Sequence, residues 1–80
     1  MKLLDSIQTK GLHKLVLCED CGFYSVLSQG VNRKPTPLIQ RMSREAAKAC
    51  WRKELVGYFF NVSRNMRDAM KMAEKRCSSI

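Results

Sequence analysis

The sequence predicts a small α+β domain, an N-terminal β-hairpin packed on two C-terminal helices. Three observations point there. Two apolar, β-rich runs, Leu15 to Cys18 and Phe23 to Leu27, flank an acidic turn that ends in Gly22. A stretch punctuated by Gly30, Pro35 and Pro37 follows, which excludes helix there. Beyond it, the apolar residues recur at helical spacing.

Size leaves room for this fold and few others. Eighty residues make a single domain, 1–80, with one small core. A doubly wound sheet, a barrel or a two-domain enzyme does not fit. With 45% of its residues apolar and 28% charged, the chain is too apolar to be disordered.

The first part, 1–29, reads as a short helix plus the hairpin. Residues 1–10 place Leu3, Leu4 and Ile7 on one helical face, and Gly11 ends that helix. Residues 30–37 form an exposed loop, to which Arg33 and Lys34 add charge. The remainder, 38–80, is the helical part. Ser43 suits an N-cap, with Glu45 favouring the positive end of the helix dipole. Leu55, Phe59, Val62, Met66, Ala69 and Ala73 follow at spacings of three and four, an apolar stripe on one face. Gly57 and Asn61 are its weak points, and Ser63 is a second N-cap candidate. One helix over 43–77 and two helices hinged near 61–63 both fit this pattern.

Fifteen Lys and Arg face seven Asp and Glu, a net charge of +8. Excess positive charge on so small a domain favours polyanions: nucleic acid first, then an acidic protein, then anionic lipid. Simple solubility is the competing explanation. The cations fall into two stripes. Arg41, Arg44, Lys48 and Arg52 are spaced 3, 4, 4, and so are Arg64, Arg67, Lys71 and Lys75. Each covers roughly 80° of a helix, as a phosphate-contacting surface requires. Glu45, Asp68 and Glu74 would instead give ordinary intrahelical pairing on solvated faces.

The run Phe60-Asn61-Val62-Ser63-Arg64-Asn65-Met66-Arg67-Asp68-Ala69-Met70 resembles the turn and recognition helix of bacterial helix-turn-helix regulators. Val56, Gly57 and Phe60 match its first helix and Met70 its second, over about 20 residues. Arg67 stands where the family has an apolar residue. The resemblance implies a DNA-binding transcriptional regulator in which Ser63 caps the recognition helix. Arg64, Asn65 and Arg67 would face the major groove, with Lys71 on the same helix, while Arg44, Lys48 and Arg52 would touch phosphate. One such module contacts few bases, so a homodimer is expected.

A rival reading starts from Trp51, Tyr58, Phe59 and Phe60, clustered more densely than one small core requires. Aromatics of this kind anchor protein interfaces. They suggest an adaptor or inhibitor that docks its basic helices on an acidic protein partner. Small size and basic charge suit a phage, plasmid or other mobile-element gene.

Cys18-Glu19-Asp20-Cys21-Gly22 resembles one knuckle of a zinc ribbon, in which two thiolates on a tight turn share one ion. The second pair is missing. His13 and Cys50 are the remaining candidate ligands of a single structural zinc, with Cys77 beyond them. The competing expectation is no cofactor, with Cys50 and Cys77 serving as small buried hydrophobes. Catalysis is not expected: there is no Gly-rich phosphate loop, and the lone His13 is placed beside no nucleophile by spacing alone. Met1-Lys2-Leu3-Leu4-Asp5 carries an acidic residue early and no apolar run of signal length. No window approaches the length of a membrane span. The expectation is a cytoplasmic protein with reduced thiols and no membrane partner.

Overall fold

The computed structural model describes residues 1–8, 13–30 and 34–80. Along the chain it places β1 (Lys2–Gln8), β2 (Lys14–Asp20), β3 (Phe23–Gln29), β4 (Thr36–Met42), α1 (Arg44–Ser63) and α2 (Met66–Ser78). The α+β class is as expected, with strands first and helices after. Two compact units divide the chain, Met1–Ala47 and Lys48–Ile80. No helix among the described residues is long and apolar enough to cross a membrane.

β2 and β3 are the expected hairpin. They pair without a register shift from Lys14↔Gln29 to Asp20↔Phe23, leaving Cys21 and Gly22 as a two-residue turn. Both turn residues have positive φ, 53° and 83°, the requirement of a type I′ turn. Glycine meets it without steric cost, and Cys21 does not.

The hairpin is the centre of a larger sheet. Its antiparallel order is β1-β2-β3-β4, so Lys2–Gln8, within the helix expected over residues 1–10, and residues 38–42 are corrected from helix to strand. Leu3, Leu4 and Ile7 fit a helical face by spacing, but a helix this short is marginal in water unless tertiary packing supports it. Pairing with β2 supports a strand instead. Leu4 is the extra residue where the register shifts between Leu3↔Cys18 and Asp5↔Leu17, a bulge that brings Ile7 opposite Leu15. By pairing and alternation, Ile7, Leu15, Leu17 and Val26 then share one face of the sheet, and all four are buried. β4 begins inside the expected loop. Its Pro37 is tolerated because β4 is an edge strand, where a missing N–H breaks no inner ladder. Arg41 takes a left-handed φ of 56°, and its N–H donates to Ser25 Oγ at 3.1 Å. Gly11 and Arg33, assigned to a helix end and a loop, lie outside the described residues.

Ser43 caps α1 as expected: the Ala46 N–H donates to its Oγ at 3.3 Å and the Ala47 N–H to its carbonyl at 3.0 Å. Along α1, Ala47, Trp51 and Leu55 are fully buried at spacings of four. The single long helix is excluded, because Arg64 and Asn65 separate α1 from α2. That break also splits the predicted apolar stripe. Leu55, Ala69 and Ala73 are buried, whereas Val62 and Met66, on either side of the turn, are 68% and 50% exposed.

Candidate nucleic-acid interface

The geometry of α2 begins with its cap, which is Asn65 and not the expected Ser63. Asn65 has extended backbone, φ −135° and ψ 117°, and its Oδ1 accepts from the N–H groups of Arg67 at 2.9 Å and Asp68 at 3.3 Å. Asn is as good a cap as Ser, and the preceding residue decides the position. Arg64, at φ 56°, turns the chain out of α1 while its N–H still donates to the Phe60 carbonyl at 2.8 Å. Ser63 is thereby the last residue of α1, and its hydroxyl donates to the Phe59 carbonyl at 2.9 Å. Replacing Asn65 with Ala should cost about 1 kcal/mol. Ser63→Ala should cost less than half of that, as read by the denaturation midpoints of the two variants. Equal losses would contradict the assignment of the cap.

Once capped, α2 has two opposed faces. Ala69, Ala73 and Cys77 are buried at spacings of four. Arg67, Lys71 and Lys75 are exposed at the same spacing. Lys71 lies two residues from Ala73, about 200° around the helix, so the cationic stripe points away from the buried one. None of the three cations forms an ion pair among the described residues. Asp68 sits in the first turn and Lys75 in the last, each at the end of the dipole that favours it. Arg64 is exposed in the turn just before.

The other predicted stripe is not one surface. Arg41 belongs to β4, where its guanidinium lies 5.3 Å from the centroid of the Phe23 ring. Lys48 and Arg52 are half-buried, because on the helical wheel Arg44, Lys48 and Arg52 lie within about 100° of the buried Trp51. Arg52 is also committed, its Nη2 donating to Glu74 Oε1 at 2.7 Å. Glu74 therefore bridges the two helices and does not pair within α2.

That bridge also limits the angle between the helices. Arg52 lies 11 residues before the end of α1 and Glu74 8 residues beyond the start of α2, roughly 16 Å and 12 Å along their axes. Perpendicular helices would hold these two backbones about 20 Å apart, too far for the side chains to meet. In Lys48–Ile80 the two helices therefore meet at an acute angle across a two-residue turn, α2 folding back toward α1.

The aromatic cluster separates in the structure. Trp51 is fully buried and so is not available as an interface anchor. Tyr58 and Phe59 are half-buried and meet edge to face with centroids 5.2 Å apart. Phe60 alone of the four is exposed.

No three His, Cys, Asp or Glu side chains are grouped to hold an ion among the described residues. The knuckle is drawn out because β2 runs straight through Cys18 to Asp20 before turning at Cys21. An extended strand advances about 3.3 Å per residue, so Cys18 sits well back from the turn. His13 precedes β2 at its other end, five residues from Cys18. Cys50 lies on α1. Cys18 and Cys21 both line a cavity of about 320 Å³ with Phe23 and Arg41, yet their chemistry differs. Burial, with Asp20 nearby, pushes the Cys18 thiol up, and burial, with Glu54, does the same to Cys50. Cys21 is exposed. Iodoacetamide at pH 7.5 should therefore label Cys21 first, about tenfold or more ahead of Cys18 and Cys50. Peptide mapping by mass spectrometry checks the order, and prompt labelling of Cys18 would contradict it.

No family model, curated protein or solved structure matches the chain. The surface itself is what speaks to function. Sequence reasoning passed over Lys53 and named Val56 and Met70 only as apolar positions of the helix-turn-helix resemblance; that the three line one groove depends on how the two helices lie together.

Proposed function

We propose that the protein is a small nucleic-acid-binding protein that lays the outward face of α2 along the phosphates of a duplex. The observation that carries this is the stripe Arg67, Lys71 and Lys75, exposed, unpaired among the described residues and opposite the buried face of the same helix. Phosphate contacts need cations free of intramolecular partners, since breaking an existing pair offsets the gain. The unit that contains α2, Lys48–Ile80, holds eight Lys and Arg against three Asp and Glu, so the field around the stripe is positive as well.

In the regulatory form of this reading, which the helix-turn-helix resemblance suggests, Arg64, Asn65 and Arg67 also reach base edges. Asn65 Oδ1 is occupied by capping, which leaves the two arginines as the principal base readers. A homodimer would supply the second half-site. The test is a titration of the reduced protein against a pool of random-sequence duplexes at 50 mM and 200 mM salt. Binding at the lower salt that weakens at least about tenfold at the higher supports the proposal. No binding at 50 mM salt overturns it. Enrichment of one sequence from the pool would add the regulatory form.

A further inference from the structure

Besides the face that α2 turns outward, α1 presents one of different character. Ala49, Arg52, Lys53, Val56 and Phe60 fall within an arc of about 100°, centred roughly 150° from the buried Ala47, Trp51 and Leu55. Met70 of α2 lies against this arc, and together Ala49, Arg52, Lys53, Val56 and Met70 line a groove of about 300 Å³. Three of those side chains are apolar and two are cationic. Lys53 is exposed and forms no ion pair among the described residues. Arg52 spends one nitrogen on Glu74, while its Nε, shielded from water, has no hydrogen-bond partner. Nearer the turn, Phe60 and Met66 are 40% and 50% exposed as well.

We propose that this groove binds an acidic amphipathic helix of a partner protein. Complementarity selects that occupant. A second copy of the chain, with its net charge of +8, would bring cations against Arg52 and Lys53. A sugar-phosphate backbone would satisfy the cations but leave Val56, Phe60 and Met70 uncovered. A helix with apolar residues at i, i+3, i+4 and i+7 and carboxylates on its flanks satisfies both sets. Met70 suits such a contact, since its unbranched thioether adapts to the shape of its partner. This inference uses a different face from the phosphate-contacting stripe and does not rest on the nucleic-acid reading.

The experiment uses two labelled peptides and the full-length protein, read by fluorescence anisotropy. One peptide carries Leu at those four positions in each repeat and Glu at most others. The second has every Leu replaced by Ser at the same charge. The Leu peptide should bind at least about tenfold more tightly than the Ser peptide. Val56→Ser combined with Met70→Ser should weaken the Leu peptide by about tenfold or more, while changing duplex affinity less than about twofold. Lys53→Glu, at an exposed position where folding is not at stake, should weaken both peptides. Equal affinity for the two peptides would reduce the groove to a site of simple charge attraction and overturn the proposal. Retention of Leu-peptide binding by the double variant, or by Lys53→Glu, would overturn it as well.

Discussion

Replacing Trp51 with Ala should destabilise the protein by about 3–5 kcal/mol. Trp51 is the largest fully buried side chain among the described residues, and it lies one turn from each of its fully buried neighbours on α1, Ala47 and Leu55. Truncation removes its apolar surface from the core and leaves a void that the surrounding residues only partly close. A chain of this length commands about 4–12 kcal/mol in total, so the variant should be unfolded or close to it at 25 °C. Its helical circular dichroism should melt roughly 15–30 °C lower than that of the parent. Phe60→Ala, on the exposed side of the same helix, should cost less than about 1 kcal/mol. If the two variants melted together, Trp51 would not be the centre of its unit.

The second large effect concerns binding. Removing Arg67, Lys71 and Lys75 together by alanine substitution should lower duplex affinity by roughly two to three orders of magnitude near 0.1 M salt. That figure follows from three phosphate contacts, each contributing about 0.9 to the salt slope. Stability should change little, because all three residues are exposed and form no ion pair among the described residues. The informative comparison is a variant with the same loss of charge elsewhere: Lys2→Ala, Lys14→Ala and Lys34→Ala, all exposed in Met1–Ala47. Acting only through the general field, those changes should weaken binding by less than about tenfold. Comparable losses from the two triple variants would mean that net charge, and not the α2 stripe, drives association.

The legible parts of the molecule are those written in local sequence. Leu15 to Cys18 and Phe23 to Leu27 around a turn with Gly22 spell a hairpin because pairing across a two-residue turn is nearly a local event. Ser43 announces α1 by satisfying an N–H three residues away. The edge strands were hidden because their partners lie elsewhere. Leu3, Leu4 and Ile7 match a helical period as well as a bulged strand, and only pairing with Leu15 and Leu17 separates the two. Pro35 and Pro37 mark a break in helix but say nothing of a strand along β3.

The candidate site follows the same division. The stripe Arg67, Lys71 and Lys75 was visible from its spacing because α2 is one uninterrupted element. The stripe through Arg41 failed because the helix starts three residues after it. Trp51 was misplaced for a different reason: aromatic density does not reveal which side of a helix each ring occupies, whereas the four-residue spacing of Ala47, Trp51 and Leu55 does. Val56 and Met70 are 14 positions apart in the chain, and they share a groove only because the turn at Arg64 and Asn65 folds α2 back toward α1.

The most direct test of the central claim is a map of backbone amide chemical shifts recorded while a short random-sequence duplex is titrated into the reduced, isotope-labelled protein. The account predicts that the largest changes trace Arg67, Lys71 and Lys75 and extend into the turn at Arg64, leaving the β2–β3 hairpin nearly unmoved. Changes confined to the sheet, or none at 50 mM salt, would contradict it.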